Sequence, residues 1–399
     1  MRFPVSHPLC ALLLCLGALP AQAAPSTDCA RLYREAQRAG GAGAFSWSTQ
    51  AAPPAALPAA PLRIALWGDS LTSSRDFIDA ALEASGIRAQ AAHPSFIQAG
   101  AAIPGLRLPL KAACAAGSWQ TGHAYKEVRK PAGYSPGLVS MQSDTPGATL
   151  FLDFRHPQAT ARLRQLDILF EKSAPQGSLL LAVSVDGGDE EMVPLSRTPD
   201  RVLRIQPAAP FASIRLRLVS GLLRLHGFLP LYQDAPAAIL DTHSVPGGTL
   251  RAWANADERL FPPARAAGED YDLILVQYGT NEGAAPSLRR AQYESYLRTH
   301  LARLRAFHPT PRCVLIGPPD RGAGYGAIHQ QIAQAQKKIA PEFRCAAWDW
   351  QAAMGGTGSA ARWARMAPPQ MQGDLTHLSA KGYQASGRKF ANDHPLDTH

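Results

Sequence analysis

Leu62-Arg63-Ile64-Ala65-Leu66-Trp67-Gly68-Asp69-Ser70 is the stretch on which the reading of this chain turns. A short apolar run stopped by a turn signal is the pattern of a buried strand, and glycine permits the tight reversal that follows. Residues 77–82 (Phe-Ile-Asp-Ala-Ala-Leu) then show helical spacing, so the local reading is strand, sharp turn, helix. Further along, 271–277, 313–317 and 345–350 read as strands, with helical patterns at 292–307 and 326–339. Ser379 is placed to cap a last helix that buries Tyr383 and Phe390. Strands alternating with helices imply an α/β fold, a parallel sheet covered on both faces.

The middle of the chain reads differently. Apolar and polar residues alternate with period two over 161–169, 179–185, 201–205 and 213–218, and 222–229 continues the theme. Asp186-Gly187-Gly188-Asp189 is a hairpin turn between two of them. Short alternating strands without helices between them predict an antiparallel β-sandwich at about 107–235. It would interrupt an α/β domain made of 62–106 and 236–392.

Ahead of these lies a segment, 24–61, whose Ala/Pro/Gly-rich part (41–61) reads as a linker. The apolar run Leu9–Leu19 is shorter than the ~20 residues needed to span a bilayer. With Arg2 before it and Ala21-Gln22-Ala23 after it, residues 1–23 read as a secretory signal peptide. The expectation is a periplasmic or secreted protein with no integral membrane segment after signal removal.

Over 399 residues, 46% are hydrophobic and 18% charged, which is globular composition and excludes fibrous, disordered and multi-pass membrane classes. The net charge of +9 is spread thinly along the chain. It suits solubility or an acidic polymer such as cell-wall glycan, and nucleic acid is not expected as a partner of an exported chain. Of six cysteines, Cys10 and Cys15 would leave with the signal. Cys29, Cys114, Cys313 and Cys345 then fit two disulfides; Cys313 and Cys345 fall in consecutive predicted strands and could pair, leaving Cys29 with Cys114, but connectivity stays open. No metal or cofactor is expected, since no CxxC pair or HExxH helix is present.

In open α/β sheets ligands bind at the carboxyl ends of strands. Ser70 follows the first strand and can act as a nucleophile if a base takes its proton. Gly279-Thr280-Asn281 follows a later strand and offers a side-chain amide at the same edge. Asp374-Leu375-Thr376-His377 sets a carboxylate three residues before an imidazole, the spacing at which it can hold the ring tautomer and stabilise imidazolium.

Together these blocks resemble the SGNH (GDSL) hydrolase family. Gly68-Asp69-Ser70-Leu71 matches its first block, Gly279-Thr280-Asn281 its third and Asp374-x-x-His377 its fifth; Ser244-Val245-Pro246-Gly247-Gly248-Thr249 is the best match to the second. The resemblance implies a three-layer α/β/α hydrolase with Ser70 as nucleophile, His377 as base and then acid, and Asp374 orienting His377. It implies an oxyanion hole of the Ser70 N–H, the Gly247 N–H and the Asn281 side-chain amide, with Gly248 and Gly100 as alternatives to Gly247. The GxSxG elbow of the α/β-hydrolases is absent at Ser70.

The insertion between the first and second blocks is similar to that of bacterial peptidoglycan O-acetylesterases, where a carbohydrate-binding-module-like sandwich interrupts the hydrolase. The implied substrate is O-acetylated muramic acid in peptidoglycan. Alternatives are an O-acetyltransferase using the same acyl-Ser70, an acetylesterase of another polysaccharide, or a glycan-binding module with a vestigial hydrolase half.

Overall fold

A computed structural model of the chain describes residues 29–38, 44–49, 62–127, 133–155, 161–172, 179–195, 201–262, 270–285, 288–322 and 324–397. The expected signal peptide, 1–23, and most of the expected linker fall outside them. No helix among the described residues is long and apolar enough to cross a membrane.

Leu62–Trp67 is a strand near the middle of a six-stranded sheet. The order across that sheet is Cys345–Trp348, Arg312–Ile316, Leu273–Gln277, Leu62–Trp67, Ala238–Thr242, Ala92–His93, and every pairing is parallel. Side chains on successive residues leave opposite faces of a strand. Ile64, Leu66, Leu273, Leu275, Val314 and Ile316 accordingly fill one apolar core. Ala65, Trp67, Ile274, Val276 and Leu315 fill another on the far side. Asp76–Ala84 and Ala380–Asp393 are the helices over the first face, where the Phe77 ring lies 5.1 Å from Trp350 and 5.5 Å from Phe390. Such aromatic pairs add about 0.5–1.5 kcal/mol each beyond their area. Arg290–Phe307 and Gly326–Ile339 cover the second face, which completes three layers.

Two antiparallel sheets draw most of their strands from between Gln98 and Ala238, which extends the expected 107–235 sandwich to include Phe45–Ser48 and Ile97–Gln98. One orders Phe45–Ser48, Val202–Pro207, Leu163–Lys172, Leu223–Tyr232, Val139–Ser143 and Gln120–His123, with Ile97–Gln98 also paired to Leu223–Tyr232. The other orders Glu191–Pro194, Leu180–Val185, Ser213–Ser220, Thr149–Asp153 and Ala112–Ala116. Both contribute to one apolar core that includes Leu150, Leu166, Ile168, Val183, Ile214 and Phe228. Asp186 (φ 47°) and Gly187 (φ 75°) make the reversal after Leu180–Val185, both in the left-handed region that a tight hairpin demands.

Several local readings change. Phe45–Ser48 lies within the expected linker yet is an edge strand paired with Val202–Pro207. Trp350 was expected to end a strand, but Asp349 accepts the Ala352 N–H at 2.9 Å and starts the helix Trp350–Ala353. The helix read at 77–82 runs over Asp76–Ala84, so the serine stands on the turn before it. The four described cysteines form Cys29–Cys114 and Cys313–Cys345. The second bridges directly paired residues of neighbouring parallel strands.

Candidate active site

Ser70 stands on the turn leaving the carboxyl end of Leu62–Trp67. The strand end is packed so closely that a Cβ on Gly68 would collide with Thr72 Oγ1 and Gln277 Oε1. Asp69 is buried: its Oδ1 accepts the Leu71 N–H at 2.8 Å, while its own N–H donates to Gln277 Oε1 at 3.1 Å. These bonds shape the turn and hold the half-buried Ser70 outward.

His377 comes to Ser70 from the far end of the chain. Ser70 Oγ is 2.9 Å from His377 Nε2, and His377 Nδ1 is 2.6 Å from Asp374 Oδ2. With Nδ1–H donating to the carboxylate, Nε2 is the ring's acceptor for the serine proton. Asp374 Oδ1 also accepts the N–H groups of Thr376 and His377, each at 3.0 Å. Burial pushes the Asp374 carboxyl up, but the His377 and Thr376 hydrogen bonds outweigh it, so the group ends below the usual aspartate range.

The candidate oxyanion donors lie on loops tied to the Ser70 turn, where the Val245 N–H donates to the Gly68 carbonyl at 2.9 Å. Asn281 Nδ2 donates to the Gly248 carbonyl at 2.9 Å and makes a longer contact, 3.4 Å, to Asp69 Oδ2. The first bond anchors the amide; the second is weak enough to be exchanged for a developing oxyanion. Gly247 is left-handed (φ 76°), which suits glycine. The three glycines considered from sequence now differ: the Gly248 N–H donates to the Val245 carbonyl at 2.8 Å and that of Gly100 to the Gln98 carbonyl at 2.9 Å. The N–H groups of Gly247 and Ser70 meet no protein acceptor among the described residues.

Three residues support the site in roles that the sequence did not reveal. Glu282 Oε2 accepts the Gly279 N–H at 3.0 Å, and its Oε1 accepts the Leu250 N–H at 3.0 Å and the Tyr296 hydroxyl at 3.1 Å. One carboxylate thus ties the Asn281 loop to the Gly247 loop, and its place directly after Asn281 was the signal available. Gln277 receives bonds from Asp69 and Thr72. Tyr125, from the antiparallel part of the chain, donates its hydroxyl to the Pro246 carbonyl at 3.1 Å and so props the turn holding Gly247. Nothing in sequence links positions 125 and 246.

The electrostatics are set by two buried carboxyls. Burial, reinforced by the nearby Glu282 charge, pushes Asp69 up to about 7 against the opposing bonds from Leu71 and Gln277. Burial also raises Glu282 against its three donors. Among the described residues no group of three His, Cys, Asp or Glu side chains could hold a metal ion. A hydroxyl, an imidazole and a carboxylate in series, with candidate oxyanion donors on the adjoining loops, can carry out acyl transfer through a covalent acyl-serine.

Residues 224–385 match the profile of the GDSL-like lipase/acylhydrolase family. The chain contains a GDSL-like acylhydrolase domain. As such it is a carboxylic ester hydrolase. The matched range carries Gly247, Asn281, Asp374 and His377 but not Ser70, which stands on the other side of the antiparallel sheets and joins the site only in three dimensions. A solved structure of a peptidoglycan O-acetylesterase superposes with a TM-score of 0.63 at 19% identity, covering 84% of this chain and 90% of that one. A family two carbohydrate esterase from Cellvibrio japonicus aligns more loosely, with a TM-score of 0.28 at 12% identity over 71% of this chain and 97% of that one. No match is found among curated proteins. The fold is that of an SGNH hydrolase.

Proposed function

We propose that this GDSL-like hydrolase is an exported serine esterase that removes O-acetyl groups from peptidoglycan through an acyl-Ser70 intermediate. The observation that carries the reading is the contact series Ser70 Oγ–His377 Nε2 and His377 Nδ1–Asp374 Oδ2. Ser70 Oγ attacks the acetyl carbonyl while His377 Nε2 takes its proton. The oxyanion is held by the N–H groups of Ser70 and Gly247 and by the Asn281 amide. Collapse breaks the ester bond, and imidazolium returns the proton to the departing sugar hydroxyl, leaving acetyl-Ser70. Water, deprotonated by His377, then attacks the acyl-enzyme and frees acetate.

The glycan part of the proposal draws on the architecture. A structure described as a peptidoglycan O-acetylesterase shares the fold over most of both chains. The two antiparallel sheets form the inserted, carbohydrate-binding-module-like sandwich, whose Tyr125 reaches the oxyanion turn. Two disulfides suit an oxidising compartment, in keeping with a signal peptide at 1–23 and a periplasmic or secreted location. The test compares acetate release from O-acetylated peptidoglycan, xylan, alginate and a lipid ester. Fastest release from peptidoglycan, abolished in Ser70→Ala, supports the reading; equal rates on all four, or full activity in Ser70→Ala, overturns it.

A further inference from the structure

Arg321 lies on the loop leaving the carboxyl end of Arg312–Ile316, the sheet edge that also carries Ser70. That loop runs against the segment bearing the acid and the imidazole. The Gly322 N–H donates to the Leu375 carbonyl at 2.8 Å, and Arg321 Nε donates to Thr376 Oγ1 at 3.2 Å. Thr376 is the immediate neighbour of His377. The guanidinium carbon rests 4.1 Å from the centroid of the Tyr325 ring. A stack on one side and a bond at Nε fix the plane of the group and leave its two terminal nitrogens as a fork.

That fork is unused. No carboxylate pairs with Arg321 among the described residues, and its terminal nitrogens meet no protein acceptor there. Neither is a sealed orphan, so both reach solvent. Some other arginine forks are filled: Arg204 grips Asp167, Arg155 grips Asp153 and Arg298 grips Glu342. The acids on the same loop and on the segment it runs against are committed to other donors. Asp320 is buried, taking bonds from Gln351 Nε2 and the Ala360 N–H, each at 2.8 Å. Asp374 is held by His377 and Thr376. Packing does not account for a preorganised cation beside the base with no counter-charge. An anionic group on the substrate does.

We infer that Arg321 is a substrate-selecting residue that grips a carboxylate on the acyl-bearing glycan, so that the enzyme favours acetyl esters of acidic over neutral sugars. The inference rests on the esterase reading above and deepens it. A planar guanidinium receives a carboxylate through two parallel hydrogen bonds, a geometry a lysine cannot reproduce. The carboxylate belongs either to the sugar's own acid substituent or to a peptide attached to it; both present the same group to the fork.

The test measures kcat/KM for the full chain, Arg321→Gln and Arg321→Lys on four acetates. These are a neutral aryl acetate, an acetylated neutral oligosaccharide, and an acetylated muramic-acid glycan with and without its peptides. Wild type should favour the acidic glycans, and the preference should shrink with added salt. Arg321→Gln should cut the acidic-to-neutral ratio about tenfold or more, mainly through KM, with Arg321→Lys restoring only part of it. Loss confined to the peptide-bearing glycan assigns the carboxylate to the peptide; loss on both assigns it to the sugar. An unchanged ratio in Arg321→Gln, or an equal fall in kcat on all four acetates, overturns the inference and leaves Arg321 as a tether for Thr376. A wild type that cleaves the neutral ester through Ser70 without favouring acidic glycans also overturns it while sparing the esterase reading. Failure of the reading itself would show as activity surviving Ser70→Ala.

Discussion

Asn281 donates its side-chain amide to the carbonyl of Gly248, 2.9 Å away, so the two loops that flank Ser70 are joined by one of the groups proposed to work there. The remaining N–H of that amide makes only the 3.4 Å contact to Asp69 Oδ2. Replacing Asn281 with Ala should lower kcat by about 10²–10³-fold with little change in KM, because its donor matters most once charge has formed on the oxygen. Steady-state kinetics on a chromogenic acetate decides it; a change confined to KM contradicts the oxyanion role.

Glu282 is expected to act through position and not by touching substrate. Glu282→Ala removes the acceptor of the Gly279 N–H, the Leu250 N–H and the Tyr296 hydroxyl, and leaves them to find water. Turnover should fall at least tenfold. Glu282→Gln keeps one acceptor oxygen and should recover part of the loss, in kcat more than in KM. Equal kinetics in the two variants would show that the brace is unimportant.

Asp69 should shape how stability varies with pH. Its folded pKa of about 7 stands above the ~3.9 of an unfolded aspartate, so the folded state binds the proton more tightly. Its contribution is therefore fully present below pH ~4 and lost as pH rises through 7. Across that interval wild type should lose on the order of a few kcal/mol relative to Asp69→Asn. Urea denaturation at pH 5 and pH 8 measures it; parallel curves for the two proteins would contradict the shift.

Removing 107–235 should abolish even small-ester cleavage. The excised span includes Tyr125, which props the turn at Pro246, and Ala124, Tyr134 and Leu138, which pack in the same core as Trp67 and Trp253. Asn255 also loses its acceptors, the carbonyls of Ala124 and Glu127. Tyr125→Phe is the gentler form and should lower kcat without unfolding the protein, as checked by kinetics beside circular dichroism. A truncated chain with wild-type turnover would contradict this dependence.

Buried apolar strands such as Leu273–Gln277 were legible because continuous hydrophobic runs need no partner to be recognised. Ala238–Thr242 was not, although it lies beside Leu62–Trp67. Its Asp241 is a polar residue in a core position, and only the fold reveals the Ser95 and Tyr271 groups that satisfy it. Phe45–Ser48 was hidden among Ala, Pro and Gly, since an edge strand depends on its neighbour more than on its own composition. The site followed the same division. Ser70, Asn281, Asp374 and His377 carry reactive groups in short motifs, and the structure gathers them around one turn. Tyr125 and Arg321 matter through contacts with distant segments, which local patterns do not encode.

The strand ahead of Ser70 has both its neighbours, Ala238–Thr242 and Leu273–Gln277, far downstream. A ribosome finishes that strand long before either partner exists, and His377 follows Ser70 by 307 residues. Pairings across such separations form slowly. Until that imidazole has been made the alcohol has no base beside it, so the earlier stretch of chain carries the nucleophile without the partner that would activate it.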